Sequence, residues 1–280
     1  MQYNFLKKGL LLIAFVSVAL CGYTQNKGSL FIIGGGERSD ALTKTMVETA
    51  KLRTNDYIVI LPMATSVPEE SVSFISSQLT TLCTNKITSF NFSKEQANAN
   101  QSWIDSVKNA RMIYITGGDQ NKFMAVVQGT KLYDAMHIAF NNGGTIAGTS
   151  AGAAVMSQVM ITGEDRGKKS SDAFKEVKVN SAVTAQGMGF ISSAIIDQHF
   201  IKRSRYNRLL SVLGDHPGKT VIGIDESTAI IVTGKKVTVT GESQVVVLAK
   251  PKKLKLFGTD KISFKNAQLS LYSAGQSFTL

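Results

Sequence analysis

From Ser29 onward, short apolar runs alternate with longer stretches in which apolar positions recur every three or four residues. Leu30 to Ile33, Tyr57 to Leu61, Met112 to Thr116 and Thr145 to Ala147 are too uniformly apolar for a sheet with one wet face, so they predict strands buried on both sides. Between them, Ser39 to Leu52, Pro68 to Leu82, Gln101 to Asn109 and Lys131 to Asn141 have helical spacing, several opening on a capping side chain or a first-turn proline. This alternation predicts an α/β fold, a doubly wound and mostly parallel sheet sandwiched by helices. In such sheets ligands bind beyond the carboxyl ends of the strands. Here those ends are Gly34-Gly35-Gly36-Glu37, Pro62-Met63-Ala64, Gly117-Gly118-Asp119-Gln120 and Thr149-Ser150. Past Val221 the period shortens. Val221 to Ile224, Thr228 to Val232, Lys236 to Val239 and Gln244 to Leu248, with turns at Gly234 and Gly241, predict a C-terminal antiparallel extension, an edge or a meander. Gly163 to Val179 is polar and aperiodic, which predicts a mobile loop beside the site.

The first residues follow a different logic. Lys7 and Lys8 precede the apolar run Gly9 to Leu20, which suits a signal peptide and is shorter than the ~20 residues that span a bilayer. Ala19 and Cys21 are the small residues that a cleavage site after Cys21 requires. The expectation is therefore an exported protein, with residues 1–25 as a signal peptide and 26–280 as one catalytic domain, and with no membrane span. Lipid attachment at Cys21 ranks second, because Leu20 before it is bulky. After cleavage only Cys83 would remain, which rules out an intramolecular disulfide.

The formal net charge is +11, and +9 without Lys7 and Lys8. Much of the excess lies near the C-terminus, in Lys250, Lys252, Lys253, Lys255, Lys261 and Lys265. No nucleic-acid-binding module accompanies it, so a solvated face is the simpler reading and no nucleic-acid partner is expected.

Candidate chemistry concentrates at Gly148-Thr149-Ser150-Ala151-Gly152, a Gly-x-Ser-x-Gly turn leading from a buried strand into a helix. Such a nucleophile elbow lifts the serine clear of the sheet, and its small neighbours let the backbone turn. Ser150 is the candidate nucleophile, and the Ala151 N–H, at a helix start, a candidate oxyanion donor. The same small-residue run could also be a tight βα turn without chemistry. A serine hydroxyl needs a base, and the chain has three histidines. His199 follows the apolar run Ile191 to Ile196 and so emerges at a strand end, whereas His137 lies on a helical stretch and His216 in a turn. After His199 come Arg203, Arg205 and Arg208, with Arg205 and Arg208 spaced to share a helix face. They suit either carboxylate recognition or a solvated basic helix.

Taken together, Gly-Thr-Ser-Ala-Gly-Ala at 148–153, Gly-Gly-Asp-Gln at 117–120, Asp-Gln-His-Phe at 197–200 with the three arginines, and Gly-Ile-Asp-Glu-Ser-Thr-Ala at 223–229 resemble the cyanophycinases. These are a branch of the S51 serine peptidases related to aspartyl dipeptidase, with a class I glutamine amidotransferase-like fold. The resemblance implies Ser150 as nucleophile, His199 as base, and Gly118 with Ala151 as oxyanion donors. It implies Asp165, or alternatively Glu164, as the acid behind the histidine. Gln120, Asp197, Gln198, Arg203, Arg205 and Arg208 would belong to the substrate pocket. The implied substrate is cyanophycin, a polyaspartate whose β-carboxyls each carry an arginine, with other aspartyl or isoaspartyl peptides as alternatives. Glu37, Asp119 or Asp197 would receive its guanidinium groups. No metal or organic cofactor is implied, and relatives suggest a homodimer. A non-catalytic binder of acidic polymers is the reading from another class.

Overall fold

The computed structural model describes residues 27–166 and 174–280; the signal-peptide expectation and the middle of the Gly163–Val179 segment lie outside the described residues. The chain begins β1 (Ser29–Ile33), α1 (Asp40–Ala50), β2 (Tyr57–Leu61), α2 (Pro68–Thr80), β3 (Lys86–Ser89), α3 (Gln96–Ala99), α4 (Gln101–Lys108) and β4 (Met112–Ile115). It continues with α5 (Gln120–Val127), α6 (Lys131–Asn141), β5 (Thr145–Thr149), α7 (Ala151–Ala154), β6 (Val159–Asp165), β7 (Ala182–Gln186), β8 (Ala194–Asp197) and α8 (Tyr206–Asp215). The remainder is strand: β9 (Thr220–Ile224), β10 (Thr228–Thr233), β11 (Lys236–Gly241), β12 (Gln244–Ala249), β13 (Lys252–Phe257), β14 (Lys261–Lys265), β15 (Gln268–Ser273) and β16 (Ser277–Thr279).

The main sheet has the order β16-β11-β10-β1-β5-β4-β2-β3, parallel from β1 to β3 and antiparallel from β10 outward. Its two-sided burial follows from alternation along each strand. Phe31, Ile33, Ile58, Ile60 and Tyr114 meet Leu42 and Met46 of α1 and Ile75 and Leu79 of α2 on one face. Leu30, Ile32, Val59, Leu61, Ile113 and Ile115 turn to the other face, against Ile104 of α4, Phe123 of α5 and Leu132 of α6. Local signals set the helix starts: Ser39, Asn100, Asp119 and Thr130 each accept an N–H of the first turn, and Pro68 opens α2.

The C-terminal strands divide in a way that a simple meander does not anticipate. β10 and β11 extend the main sheet beside β1, whereas β9 and β12 join a second sheet, β15-β12-β9-β8. Within it, β8 and β9 run parallel, with Asp197 paired to Gly223. The amphipathic helix α8 covers this sheet, placing Leu209 and Val212 on Ile195, Val221 and Val246. Gly163 to Asp165, expected in a loop, complete β6, which pairs with β7. The six C-terminal lysines are exposed on and around the β13–β14 hairpin, as a solvated face requires.

Candidate active site

Ser150 directly follows β5, which lies between the neighbouring strands β1 and β4, both of which finish in glycine-rich loops. Its backbone is held at φ 54°, ψ −107°, a strained conformation for a residue with a side chain, of order 1–3 kcal/mol. The Ser150 N–H donates to Ile33 O at 3.1 Å, fixing the elbow to β1. Gly148 and Gly152 are both required for this turn, because a Cβ on Gly148 would lie 2.5 Å from Gly152 O and one on Gly152 2.4 Å from Ile115 O.

His199 leaves the end of β8 and crosses from the second sheet to the first. Its N–H donates to Gly34 O at 2.7 Å, and the Phe200 N–H donates to Ile224 O at 3.2 Å. The imidazole Nε2 lies 2.8 Å from Ser150 Oγ, and Nδ1 lies 2.6 Å from Glu226 Oε1. Glu226 follows β9, the parallel neighbour of β8, so the two groups leave adjacent strand ends in the same direction. The β1 loop closes over them. A Cβ on Gly35, at φ 115°, would fall 2.3 Å from His199 Cε1, and one on Gly36, at φ 72°, 2.7 Å from Glu226 Cβ. Ser227 locks this loop through its N–H to Gly35 O at 2.9 Å and its Oγ to Glu37 O at 2.9 Å.

Burial is the largest influence on His199 and lowers its pKa below 6.5; the Glu226 hydrogen bond and charge oppose this, and the charges of Arg203 and Arg205 add to it. At neutral pH the imidazole is uncharged. A Glu226 carboxylate can only accept, so Nδ1 carries the proton and Nε2 accepts from the Ser150 hydroxyl. Beside the serine, the N–H groups of Gly118 and Ala151 have no hydrogen-bond partner among the described residues. Gly118 needs its φ of 134°, since a Cβ there would meet Ala64 O at 2.2 Å.

The structure brings Ser150, His199, Gly118 and Ala151 together but leaves out both carboxylates expected behind the histidine. Asp165 ends β6 and accepts the Phe174 N–H through Oδ2 at 2.7 Å, while Glu164 is exposed. The partner of His199 is Glu226, which lies in the quoted motif at 223–229 but was not singled out there.

The expected substrate residues also divide. Asp197, 1% exposed, accepts from Arg208 Nε at 2.8 Å and also from its Nη2, and Arg208 is 3% exposed. This paired fork leaves little of either group for a ligand. Arg205 Nη1 donates to Gln198 O at 2.6 Å and to Gln198 Oε1; desolvation, with the charge of Arg208, brings its pKa to about 10, so it stays charged. Gln120 is buried, its amide donating to Ile161 O at 3.0 Å and Thr162 O at 2.5 Å, which pins α5 to β6. Arg203 is exposed and unpaired among the described residues. Arg208→Ala is expected to lower unfolding free energy by about 3–5 kcal/mol, because it strands a buried aspartate charge. Urea denaturation checks this, and a loss near that of a surface substitution would return Arg208 to the solvated-helix reading.

His137 Nε2 lies 2.8 Å from Met188 O and its ring packs between Tyr133 and Phe190, and His216 caps the end of α8. Among the described residues no cluster of His, Cys, Asp and Glu could hold a metal ion, and no helix is long and apolar enough to cross a membrane.

Comparison with known proteins adds a lineage to this geometry. Peptidase family S51 matches residues 30–240. The cyanophycinase of Geminocystis herdmanii (strain PCC 6308) is 37% identical over 144 residues, covering 51% of this chain and 50% of that protein. The cyanophycinase of Trichormus variabilis (strain ATCC 29413 / PCC 7937) is 32% identical over 178 residues, covering 60% and 56%. The chain spans about half the length of the curated relatives it matches. Among solved structures, a peptidase from an acI-B1 Actinobacterium shares the fold, with a TM-score of 0.68 and 22% identity over 92% of this chain and 98% of that one.

Proposed function

The chain belongs to peptidase family S51, and from that premise we propose that it is a serine peptidase that hydrolyses cyanophycin to β-Asp-Arg dipeptides. The observation that carries the mechanism is the continuous relay from Ser150 through His199 to Glu226, at 2.8 and 2.6 Å. The matches to curated cyanophycinases support the substrate.

In this reading Ser150 Oγ attacks the scissile carbonyl while His199 Nε2 takes its proton. Glu226 holds the Nδ1 proton in place and stabilises the imidazolium that forms. The Gly118 and Ala151 N–H groups, having no acceptor among the described residues, turn to the oxyanion as it develops. His199 then gives its proton to the leaving amine, and a water activated by the same imidazole hydrolyses the acyl-enzyme. Every proton in this cycle passes through Nε2, and the chemistry requires no metal or organic cofactor. Arg203 and Arg205 lie close enough to His199 for their charges to bear on its protonation. Glu37 is the exposed carboxylate best placed to meet substrate guanidinium; Asp119 is also exposed but spends Oδ1 on the Asn121 N–H at the start of α5, and Asp197 is held by Arg208.

The base works only when neutral, so the acidic limb of kcat/KM is expected below pH 6.5, with activity lost as pH falls through it. Arg203→Ala removes a charge that opposes protonation and should move that limb upward. A pH–rate profile of both proteins checks this, and a limb above 6.5 in the parent would contradict the burial argument.

The function is tested by incubating the protein with insoluble cyanophycin and identifying the soluble products by mass spectrometry. Release of β-Asp-Arg supports the proposal. Cleavage of isoaspartyl dipeptides without any action on the polymer would favour the dipeptidase alternative. Export and dimer formation belong to the same proposal, checked by N-terminal sequencing of the secreted protein and by light scattering.

A further inference from the structure

Next to Ser150, between α2 and the carboxyl ends of β4 and β5, lies a cavity of about 240 Å³. Three hydroxyls line it without a hydrogen-bond partner among the described residues, Tyr114 Oη, Thr116 Oγ1 and Thr149 Oγ1. Their residues are 1%, 3% and 7% exposed. Buried polar atoms are ordinarily paired, because an unpaired one forfeits the hydrogen bonds it made in water. Three orphans around one cavity mark the place of a polar ligand.

Arg38 decides the ligand's sign. Its guanidinium lies over the rings of Phe74 at 5.2 Å and Tyr114 at 5.9 Å. Its Nε donates to Gln78 Oε1 at 3.2 Å, while Gln78 Nε2 donates back to Arg38 O at 3.2 Å. This clamp orients the fork and leaves both terminal nitrogens unpaired among the described residues. Among the described residues no acidic side chain lines the cavity. A held cation, free donors and no competing carboxylate suit an anion with several acceptor lone pairs. Burial raises the Tyr114 pKa, with Arg38 opposing, so the phenol remains a donor.

The geometry points to this cavity as a carboxylate subsite built from Arg38, Tyr114, Thr116 and Thr149. It adjoins the reacting centre: Thr149 precedes Ser150 directly, and a Cβ placed on the lining residue Gly117 would lie 3.5 Å from Ser150 Cβ. The identity of its ligand rests on the proposed function. An arginine joined through its α-amino group keeps a free α-carboxylate, so each branch of cyanophycin carries one. The subsite receives that group and selects arginyl branches that end in a free acid. The two arginines following His199 that are already paired, Arg205 and Arg208, are thereby relieved of this task.

The test is calorimetric titration of the Ser150→Ala protein with β-Asp-Arg and with its C-terminal amide. The acid is expected to bind about tenfold more tightly or better, the range of one charge-assisted hydrogen bond. Adding Arg38→Gln or Tyr114→Phe should remove that preference and leave amide binding unchanged. Tyr114→Phe should also melt at the same or a higher temperature, since the hydroxyl it removes has no partner among the described residues, so a weakened site is not mistaken for a damaged fold. Equal binding of acid and amide, or variants that weaken both alike, would overturn the subsite. The two claims separate cleanly: serine-dependent cleavage of the polymer without acid preference sinks the subsite alone. An Arg38-dependent acid preference in a protein that leaves the polymer intact upholds the subsite and sinks the substrate.

Discussion

Ser150→Ala is expected to lower kcat on the proposed substrate by roughly six orders of magnitude, as loss of the nucleophile does in a serine triad. The substitution removes the atom that forms the acyl-enzyme and leaves the rest of the site standing. The elbow is secured by the backbone bond from Ser150 N–H to Ile33 O, and alanine suffers no more than serine from the positive φ. Substrate affinity should therefore change little, and the residual rate should reflect only the oxyanion donors and binding. Steady-state kinetics on purified protein, beside a circular-dichroism melt, measures both. A variant with more than a per cent of parental kcat would require a different nucleophile.

The second large effect separates two carboxylates. Glu226→Gln is expected to reduce kcat about 10⁴-fold, the scale seen when the acid of such a triad becomes an amide. The carboxylate can only accept from Nδ1, whereas a glutamine amide can donate to it. Donation would favour the tautomer with the proton on Nε2, which cannot take one from the serine. Loss of the negative charge also removes the influence that props up the His199 pKa, making it a weaker base. Asp165→Asn should leave kcat within a few-fold, because Asp165 reaches the Phe174 N–H rather than the imidazole. The reverse pattern would restore the acid that the resemblance implied.

This contrast marks where the sequence was legible. Strand and helix positions were readable because burial on both faces leaves an unbroken apolar run, as in Tyr57 to Leu61, while α1 and α6 declare their caps and their buried stripe. Ser150 was readable because the elbow needs small residues at fixed spacing. Glu226 was missed for a topological reason. Val221 to Leu248 has the short period of a meander, and nothing local reveals that β9 turns away to pair in parallel with β8 while β10 returns to β1. Only that pairing sets Glu226 beside His199. The pairing of Arg208 with Asp197 was hidden similarly, since spacing puts Arg208 on a helix face but does not say that the face is covered. The orphan hydroxyls of Tyr114, Thr116 and Thr149 were hidden among residues that read as ordinary strand.

An activated Ser150 is the centre of the mechanism, and the most direct test of it is intact-protein mass spectrometry after reaction with a fluorophosphonate. A single adduct is expected, mapping to Ser150, absent from Ser150→Ala and formed far more slowly in Glu226→Gln. Labelling at another residue, or none above the Ser150→Ala control in a folded protein, would contradict the relay and leave the chain a binder of its polymer.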